Sequence, residues 1–358
     1  METEKNDFEE MMIMEPSLII GGLESIQQKE DDFFSKKFYY SYSSLNKLLW
    51  NPQTFYQMYV LGQREERLDA HLVQGKLIHL LLLEPEKLAE NFIISPSNLP
   101  TGNLRMVVDR VFRHYMELKE NEVDRTNKFS DYTEAILDVM VDMNYFQNLK
   151  SDQQRLDKIL TPEAINYWEF LQNKGDKTLI DIQTHEFCTM VVSLIKENKD
   201  ICNLIGHDVS PFQNIKVMNE LEVKLDLPNK TYGLKGIIDN IVIDHDQKII
   251  RVNDIKTTSK NLKDFPESVE YYAYWLQGII YMVMASHMFI NQLNDGYKIE
   301  FRFIVIDRAY QTYPFLVTDK TLSTWLEKYK STMEVAEWHF STKDYTLPYE
   351  FAVGSVTL

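Results

Sequence analysis

Cysteine is nearly absent: Cys188 and Cys202 are the only two in 358 residues, and their spacing suits neither a disulfide framework nor a cysteine-bound cluster. A reducing cytoplasm is the expected setting. Long apolar runs are also missing. None reaches the roughly 18 to 20 residues of a membrane span, and the longest, such as "QGIIYMVMASHMFI", is broken by polar groups. The opening "METEKNDFEEMMIMEP" is acidic and has neither the basic nor the apolar segment of a signal peptide. Positive charge is scarce: 38 Lys and Arg face 54 Asp and Glu, for a net charge of −16. That excludes a protein that binds nucleic acid through its whole surface. It leaves room for one that gathers its cations in a groove and offsets phosphate charge with metal ions. No repeat of fixed period occurs.

The chain does have the means to build a core. Hydrophobic residues make up 44% of it, too many for a disordered protein, and the length fits one large domain or two modest ones. Residues 1–36 are acidic and aperiodic, and read as a loosely ordered arm with a weak strand or helix at "SLIIGGLESI". Residues 37–103 turn helical from "YYSYSSLNKLLWNPQTF", with Ser43 or Ser44 as N-cap and Leu45, Leu48 and Leu49 on one face. "LDAHLVQGKLIHLLLLEPEKLAENF" reads as a long buried helix ending near Pro85, followed by a short strand at "NFIISP". Residues 104–210 are almost entirely helix-compatible and read as a helical insertion. After that the pattern changes. "NELEVKLDL", "YGLKGIIDNIVID" and "KIIRVNDIKT" are strand-like runs separated by "PNKT" and "DHDQ" turns. The helix "ESVEYYAYWLQGIIYMVMASHMF" and the strand "YKIEFRFIVIDR" follow. Residues 211–358 therefore predict an α/β core, a mixed β-sheet flanked by helices.

Two Asp-x-Lys triplets stand within a dozen residues of each other, Asp246-Gln247-Lys248 and Asp254-Ile255-Lys256. The pattern alone carries little, since Glu117-x-Lys119, Glu197-x-Lys199 and Glu222-x-Lys224 share its spacing. Context separates the two. The first falls in a polar hairpin turn. The second ends a strand on which Ile250, Val252, Asp254 and Lys256 share a face. Charges at the end of an apolar stripe are costly unless they are paired or hold a metal. On the preceding strand the same period puts Asp239 on a face with Ile237, Ile241 and Ile243. Two carboxylates brought together repel unless a cation lies between them, and a hard divalent ion such as Mg²⁺ suits oxygen ligands. Lys256 would then orient or help deprotonate a water and neutralise developing charge. A structural Asp-Lys ion pair is the alternative.

These residues resemble the PD-(D/E)xK nuclease superfamily, in particular its RecB-like and RecE-like branch of phage and prophage exonucleases of the exonuclease VIII type. Four motifs stand in the family's order. Gly75-Lys76-Leu77-Ile78-His79 is similar to Gly-x-x-x-His, Gly236-Ile237-Ile238-Asp239 to Gly-x-x-Asp, and Asp254-Ile255-Lys256 to Asp-x-Lys. Gln277-Gly278-Ile279-Ile280-Tyr281 is similar to Gln-x-x-x-Tyr. The likeness extends over roughly residues 38 to 345 and is thinnest across 104 to 200. It implies a restriction-endonuclease-like α/β (α+β) core with a large helical insertion. It further implies a metal-dependent deoxyribonuclease acting as an exonuclease, which resects linear duplex DNA 5′→3′ for recombination by strand annealing.

The resemblance also assigns roles. Lys256, Asp239 and Asp254 are catalytic. His79, Asp239, Asp254 and the main-chain carbonyl of Ile255 hold Mg²⁺, or Mn²⁺ in its place, with Glu220 or Glu222 as a further acidic ligand. Gln277 and Tyr281, four apart on one helix face, contact DNA together with Lys260 and Lys263. Lys235, Arg105, Arg110 and Arg113 are further candidates for a basic track. Relatives form rings around DNA, so a homo-oligomer and a strand-annealing partner are expected, in the cytoplasm of a bacterial host or phage-infected cell. Two alternatives remain within the same fold: a single-strand-preferring or endonucleolytic enzyme, and a catalytically silent DNA-binding protein.

Overall fold

The structure, a computed structural model, describes residues 16–63, 70–96, 99–120, 126–207, 209–210, 212–354 and 356. The strands are β1 (Tyr39–Tyr40), β2 (Phe92–Ile94), β3 (Thr178–Ile180), β4 (Ile215–Asp226), β5 (Gly233–Asp244), β6 (Ile249–Thr257), β7 (Lys298–Ile306) and β8 (Thr312–Val317). The helices used below are α1 (Pro16–Ser35), α2 (Tyr42–Trp50), α3 (Ala70–Leu83), α4 (Gly102–Glu120), α5 (Thr133–Asp142), α6 (Pro162–Lys174), α7 (Ile182–Glu197), α8 (Lys199–Ile205), α9 (Phe265–Tyr271), α10 (Tyr274–Met288) and α11 (Asp319–Thr342). Two compact units emerge, one from Met1–Leu68 with Leu194–Leu358 and one from Asp69–Ser193. This division puts the helix bearing Gly75 and His79 with the helical unit, ahead of the boundary at 104 read from the sequence. Where the sequence shows no clear period, Pro16–Ser35 is helical. The rest of the acidic arm, residues 1–15, lies outside the described residues. Among the described residues no helix is long and apolar enough to cross a membrane.

In the strand-bearing unit the sheet runs β1-β5-β6-β7-β8, with β4 also paired to β5. β4, β5 and β6 form antiparallel ladders joined by tight connections. β6 and β7 are parallel, and α9 and α10 lie in the crossover that a parallel neighbour requires. Strand β6 is correspondingly buried from Val252 through Ile255, as expected for a strand covered on both faces. Helix α2 is capped by Ser41, ahead of both Ser43 and Ser44, the caps expected from sequence. Its side chain accepts from the Ser44 amide and a reciprocal bond closes a capping box. Leu45 and Leu48 then enter the core.

Helix α10 is apolar on nearly every side and lies in the main core. A Cβ added at Gly278 would stand 3.0 Å from the rings of both Phe301 and Trp325, so α10 approaches β7 and α11 as closely as a glycine permits. Gly278→Val should therefore overpack a buried seam and cost about 1–3 kcal/mol. A lowered urea midpoint with an unchanged slope would report that loss.

The helical unit has its own core, in which Trp168 of α6 meets Phe112, Tyr115, Phe129 and Tyr132. Its two strands, β2 and β3, pair in parallel.

Candidate active site

Strand alternation breaks where the acidic residues fall. Leu234 and Ile238 of β5 enter the main core, and so do Ile241 and Ile243. A strict period of two would set Ile238 and Ile241 on opposite faces, so the phase reverses between them, at Asp239 and Asn240. Strand β4 reverses at the same level. Met218 packs on that core and so do Leu221, Val223 and Leu225, with Glu220 between them at a φ of 44°. A non-glycine residue there costs on the order of 1 kcal/mol. The register continues through the reversal, with Asn219 opposite Asn240 and Leu221 opposite Ile238, so Glu220 stands opposite Asp239. The carboxylate oxygens of these two residues lie within 4.8 Å of one another.

This geometry corrects two expectations. Asp239 does not share one regular face with Ile237, Ile241 and Ile243: Ile237 is 46% exposed while the other two are buried. Glu220 and Glu222 are not equivalent either. Glu222 is exposed and opposes Ile237, whereas Glu220 meets Asp239.

The ladder between β5 and β6 runs from Asp244 and Ile249 to Asn240 and Asn253. Beyond that point Oδ2 of Asp239 accepts the amide of Ile255 at 2.7 Å. A side chain thus replaces the backbone partner where the strands part, and it binds Asp239 to the middle residue of the Asp-x-Lys triplet. Asp254 is fully buried, and the Lys256 ammonium pairs with its carboxylate. Burial pulls the Lys256 pKa down, but the attraction of Asp254 and Asp239 and the hydrogen bond to Asp254 outweigh it, so the pKa is raised. The ammonium also lies 5.2 Å from the centre of the Tyr274 ring, within cation–π range.

On α10, Nε2 of Gln277 donates to the Tyr281 hydroxyl at 2.8 Å. Burial, then the nearby Asp239 and Asp254, push the Tyr281 pKa well up, so the hydroxyl stays protonated. The glycine of Gly236-x-x-Asp239 has a packing reason. A Cβ there would come within 3.1 Å of the Tyr281 ring, so the missing side chain lets α10 lie against β5 three residues before Asp239.

An amide ladder behind the acids had no place in the motif reading. Nδ2 of Asn253 donates to Oδ1 of Asn240, and Nδ2 of Asn240 to Oδ1 of Asn219, each at 2.7 Å. The same two amides donate at 2.9 Å to the carbonyls of Leu204 and Ile205. These are terminal carbonyls of α8, which no helical N–H can reach. The three asparagines therefore tie β4, β5 and β6 to one helix end. Each adjoins an acid, in Asn219-Glu220, Asp239-Asn240 and Asn253-Asp254. That run of Asn-acid dipeptides is the sequence signal that could have revealed the ladder.

The remaining predicted residues are placed as follows. Lys263 is exposed and Lys260 half-buried, on the segment leaving β6. Lys235 is exposed and opposes exposed Lys224 across β4 and β5. Asp246 to Lys248 form the turn between β5 and β6, and Lys248 reaches the carbonyl of Asp295 at 2.9 Å. In the helical unit, His79 is half-buried on α3, and Arg105, Arg110 and Arg113 are exposed on α4.

The family model of the PD-(D/E)XK nuclease superfamily matches residues 39–345, and the chain belongs to that superfamily. Its mixed sheet with flanking helices is the restriction-endonuclease-like fold of these nucleases. No curated protein matches the chain. Among solved structures, a protein from Eubacterium rectale provisionally assigned as an exonuclease aligns over 93% of this chain and 92% of its own, at 12% identity and a TM-score of 0.44. The structure of SSO0001 aligns over 46% of this chain and 71% of its own, at 15% identity and a TM-score of 0.22. Both likenesses are too distant to add to the family assignment.

Proposed function

We propose that the protein is a Mg²⁺-dependent exonuclease that hydrolyses phosphodiester bonds at the ends of linear duplex DNA. One observation carries this reading. Glu220 and Asp239 hold their carboxylates within 4.8 Å of each other, at the point where Asp239 engages the Asp254-Ile255-Lys256 strand. Two such carboxylates repel unless a cation stands between them, and an all-oxygen pair fits a hard divalent ion. Superfamily members generally use divalent metals. Asp254 and the Ile255 carbonyl, on the strand edge that Asp239 already engages, would add oxygen ligands. His79 would add its imidazole, a role that rests on the Gly-x-x-x-His motif. Mn²⁺ would substitute for Mg²⁺.

A divalent ion held by these residues would supply polarisation of the scissile phosphoryl group and ease ionisation of the attacking water. The chain's own residues do the rest. Lys256, held by Asp254, points its ammonium where it can orient that water and neutralise charge building on the phosphate. Gln277, half-buried on α10 and bonded to the buried Tyr281 hydroxyl, would contact DNA from that helix, and Lys260 and Lys263 would add phosphate contacts. Resection 5′→3′, a ring-shaped homo-oligomer and a strand-annealing partner complete the proposal, on the strength of the motif resemblance. An acidic exterior with a basic channel would reconcile DNA binding with the net charge of −16.

Lys224 and Lys235 support a confined basic track. Like charges directly opposite each other on neighbouring strands are destabilising, and a phosphate lying across both would remove that repulsion. Strand geometry sets them about 13 Å along the hairpin from Glu220 and Asp239. Replacing both with alanine should weaken duplex binding equally for all sequences. It should also lower the slope of log affinity against log salt by about one to two, measured with Ca²⁺ in place of Mg²⁺. An unchanged slope would remove these lysines from the track.

The function itself is tested by digesting end-labelled linear duplex and closed circular DNA, with and without Mg²⁺. Loss of linear DNA alone, with the 5′ label released first, is the expected result. Cutting of circles would establish an endonuclease, and no cleavage of either substrate would leave a DNA-binding protein.

A further inference from the structure

An exposed aromatic stair leads from solvent to Lys256. Tyr271 is 80% exposed and Tyr272 is 44% exposed, which is unusual for two adjacent large rings. Tyr271 meets Tyr272 edge-on at 4.9 Å, Tyr272 stacks on Tyr274 at 5.4 Å, and the Lys256 ammonium sits against the Tyr274 ring. The stair is rigidly mounted. Ala273, between the Tyr272 and Tyr274 steps, has a φ of 54°, so the chain turns sharply there and α10 begins at the next residue. The Tyr272 carbonyl accepts from the Tyr42 hydroxyl at 2.6 Å and from Nδ2 of Asn46 at 3.4 Å. Its amide is tied to the Ser268 carbonyl at 3.0 Å. Lower down, Tyr274 stacks on buried Phe265.

Fixed rings in water beside a phosphodiester site have a specific chemical use. Every nucleobase presents a π-face, so a mounted aromatic ring holds an unpaired base without reading its identity. A paired base inside a duplex keeps its faces covered by its neighbours and cannot use such a ring. A generic apolar protein surface would explain the exposure of Tyr271, but not the unbroken run of rings down to the ammonium that would meet the phosphate.

We infer that Tyr271 and Tyr272 form a stacking platform for an unpaired nucleobase adjoining the phosphate at Lys256, so that the site engages its substrate as a locally single-stranded end. This inference rests on the nuclease reading for the role of Lys256. The platform supplies sequence-tolerant grip and selects strands whose bases have already been freed from the duplex.

The test is binding of two labelled oligonucleotides of equal length, one of thymidine and one of abasic residues, by fluorescence anisotropy with Ca²⁺ in place of Mg²⁺. Wild type should prefer the thymidine strand. Tyr271→Ala/Tyr272→Ala should weaken thymidine binding about tenfold and leave abasic binding unchanged. Tyr271→Phe/Tyr272→Phe, which keeps both rings, should bind as wild type does, and this also controls for folding. Equal loss on both strands, or loss on neither, overturns the platform. The two readings fail separately. Wild type that cleaves DNA but shows no base-dependent binding loses the platform alone. Wild type that shows base-dependent binding through these tyrosines but never cleaves loses the nuclease reading alone.

Discussion

Lys256→Ala should lower DNA cleavage by about 10²- to 10⁴-fold, the range lost when a positioned group that handles protons or charge is removed. The effect should be large because nothing else described on that strand can stand in. The ammonium is anchored by the fully buried Asp254 and braced by Tyr274, which fixes it at the position that the proposed function gives to the phosphate contact. The matched control is Lys248→Ala. Lys248 belongs to an identical Asp-x-Lys spacing but sits in the turn after β5, bonded to a loop carbonyl. Its removal should leave the rate within about twofold, because an exposed loop contact contributes little. Initial rates on linear duplex, compared at equal folded fraction by circular dichroism, separate the two. Equal losses in both variants would mean that the Asp254 triplet has no special role.

The second large effect concerns stability. Asp254→Ala would leave the Lys256 ammonium, whose side chain is 15% exposed, without its closest counter-charge. Breaking a buried pair from one side typically costs about 3–5 kcal/mol, whereas replacing both partners with apolar groups of similar size is often close to neutral. Asp254→Ala should accordingly lower the urea midpoint steeply, and Asp254→Ala/Lys256→Met should regain most of the loss while remaining inactive. A double variant as unstable as the single one would show that the damage comes from packing around residue 254. Recovery would show that this ion pair is retained for chemistry at the expense of stability.

Much of this was legible in the sequence because it followed regular periods. The strand runs obey alternation, the turn at Asp246–Lys248 obeys turn chemistry, and the mixed sheet follows from their order, whereas the one helix expected over residues 267–289 is broken at Ala273, whose φ of 54° separates α9 from α10. The site was harder to read for the same reason. Extending a period of two through "GIIDNIVID" places Asp239 with Ile241 and Ile243, yet both β4 and β5 reverse phase at the acids. Only the cross-strand register selects Glu220 over Glu222, because it depends on which residue opposes Asp239. The Asn219-Asn240-Asn253 ladder is likewise a product of pairing: three dispersed asparagines become one network only when three strands align. Motif order singles out Asp254 and Lys256 in the sequence. It gave no hint that Tyr271 and Tyr272 stand exposed above them, since "EYYAYW" reads as the start of an ordinary core helix. Helix α2 shows the limit on a smaller scale. Three serines near its start all satisfy the capping preference, and the reciprocal bond to Ser44 places the cap at Ser41.

Under the proposed function a divalent ion, held with the help of Glu220 and Asp239, drives phosphodiester hydrolysis beside Lys256. The most direct measurement is the rate of linear duplex cleavage as a function of Mg²⁺ concentration for wild type, Glu220→Gln and Glu222→Gln. The predicted result is saturable, metal-dependent cleavage by wild type, a clear rise in the Mg²⁺ requirement for Glu220→Gln and an unchanged requirement for Glu222→Gln. Cleavage that ignores Mg²⁺, or a requirement that moves with Glu222 and not with Glu220, would contradict it.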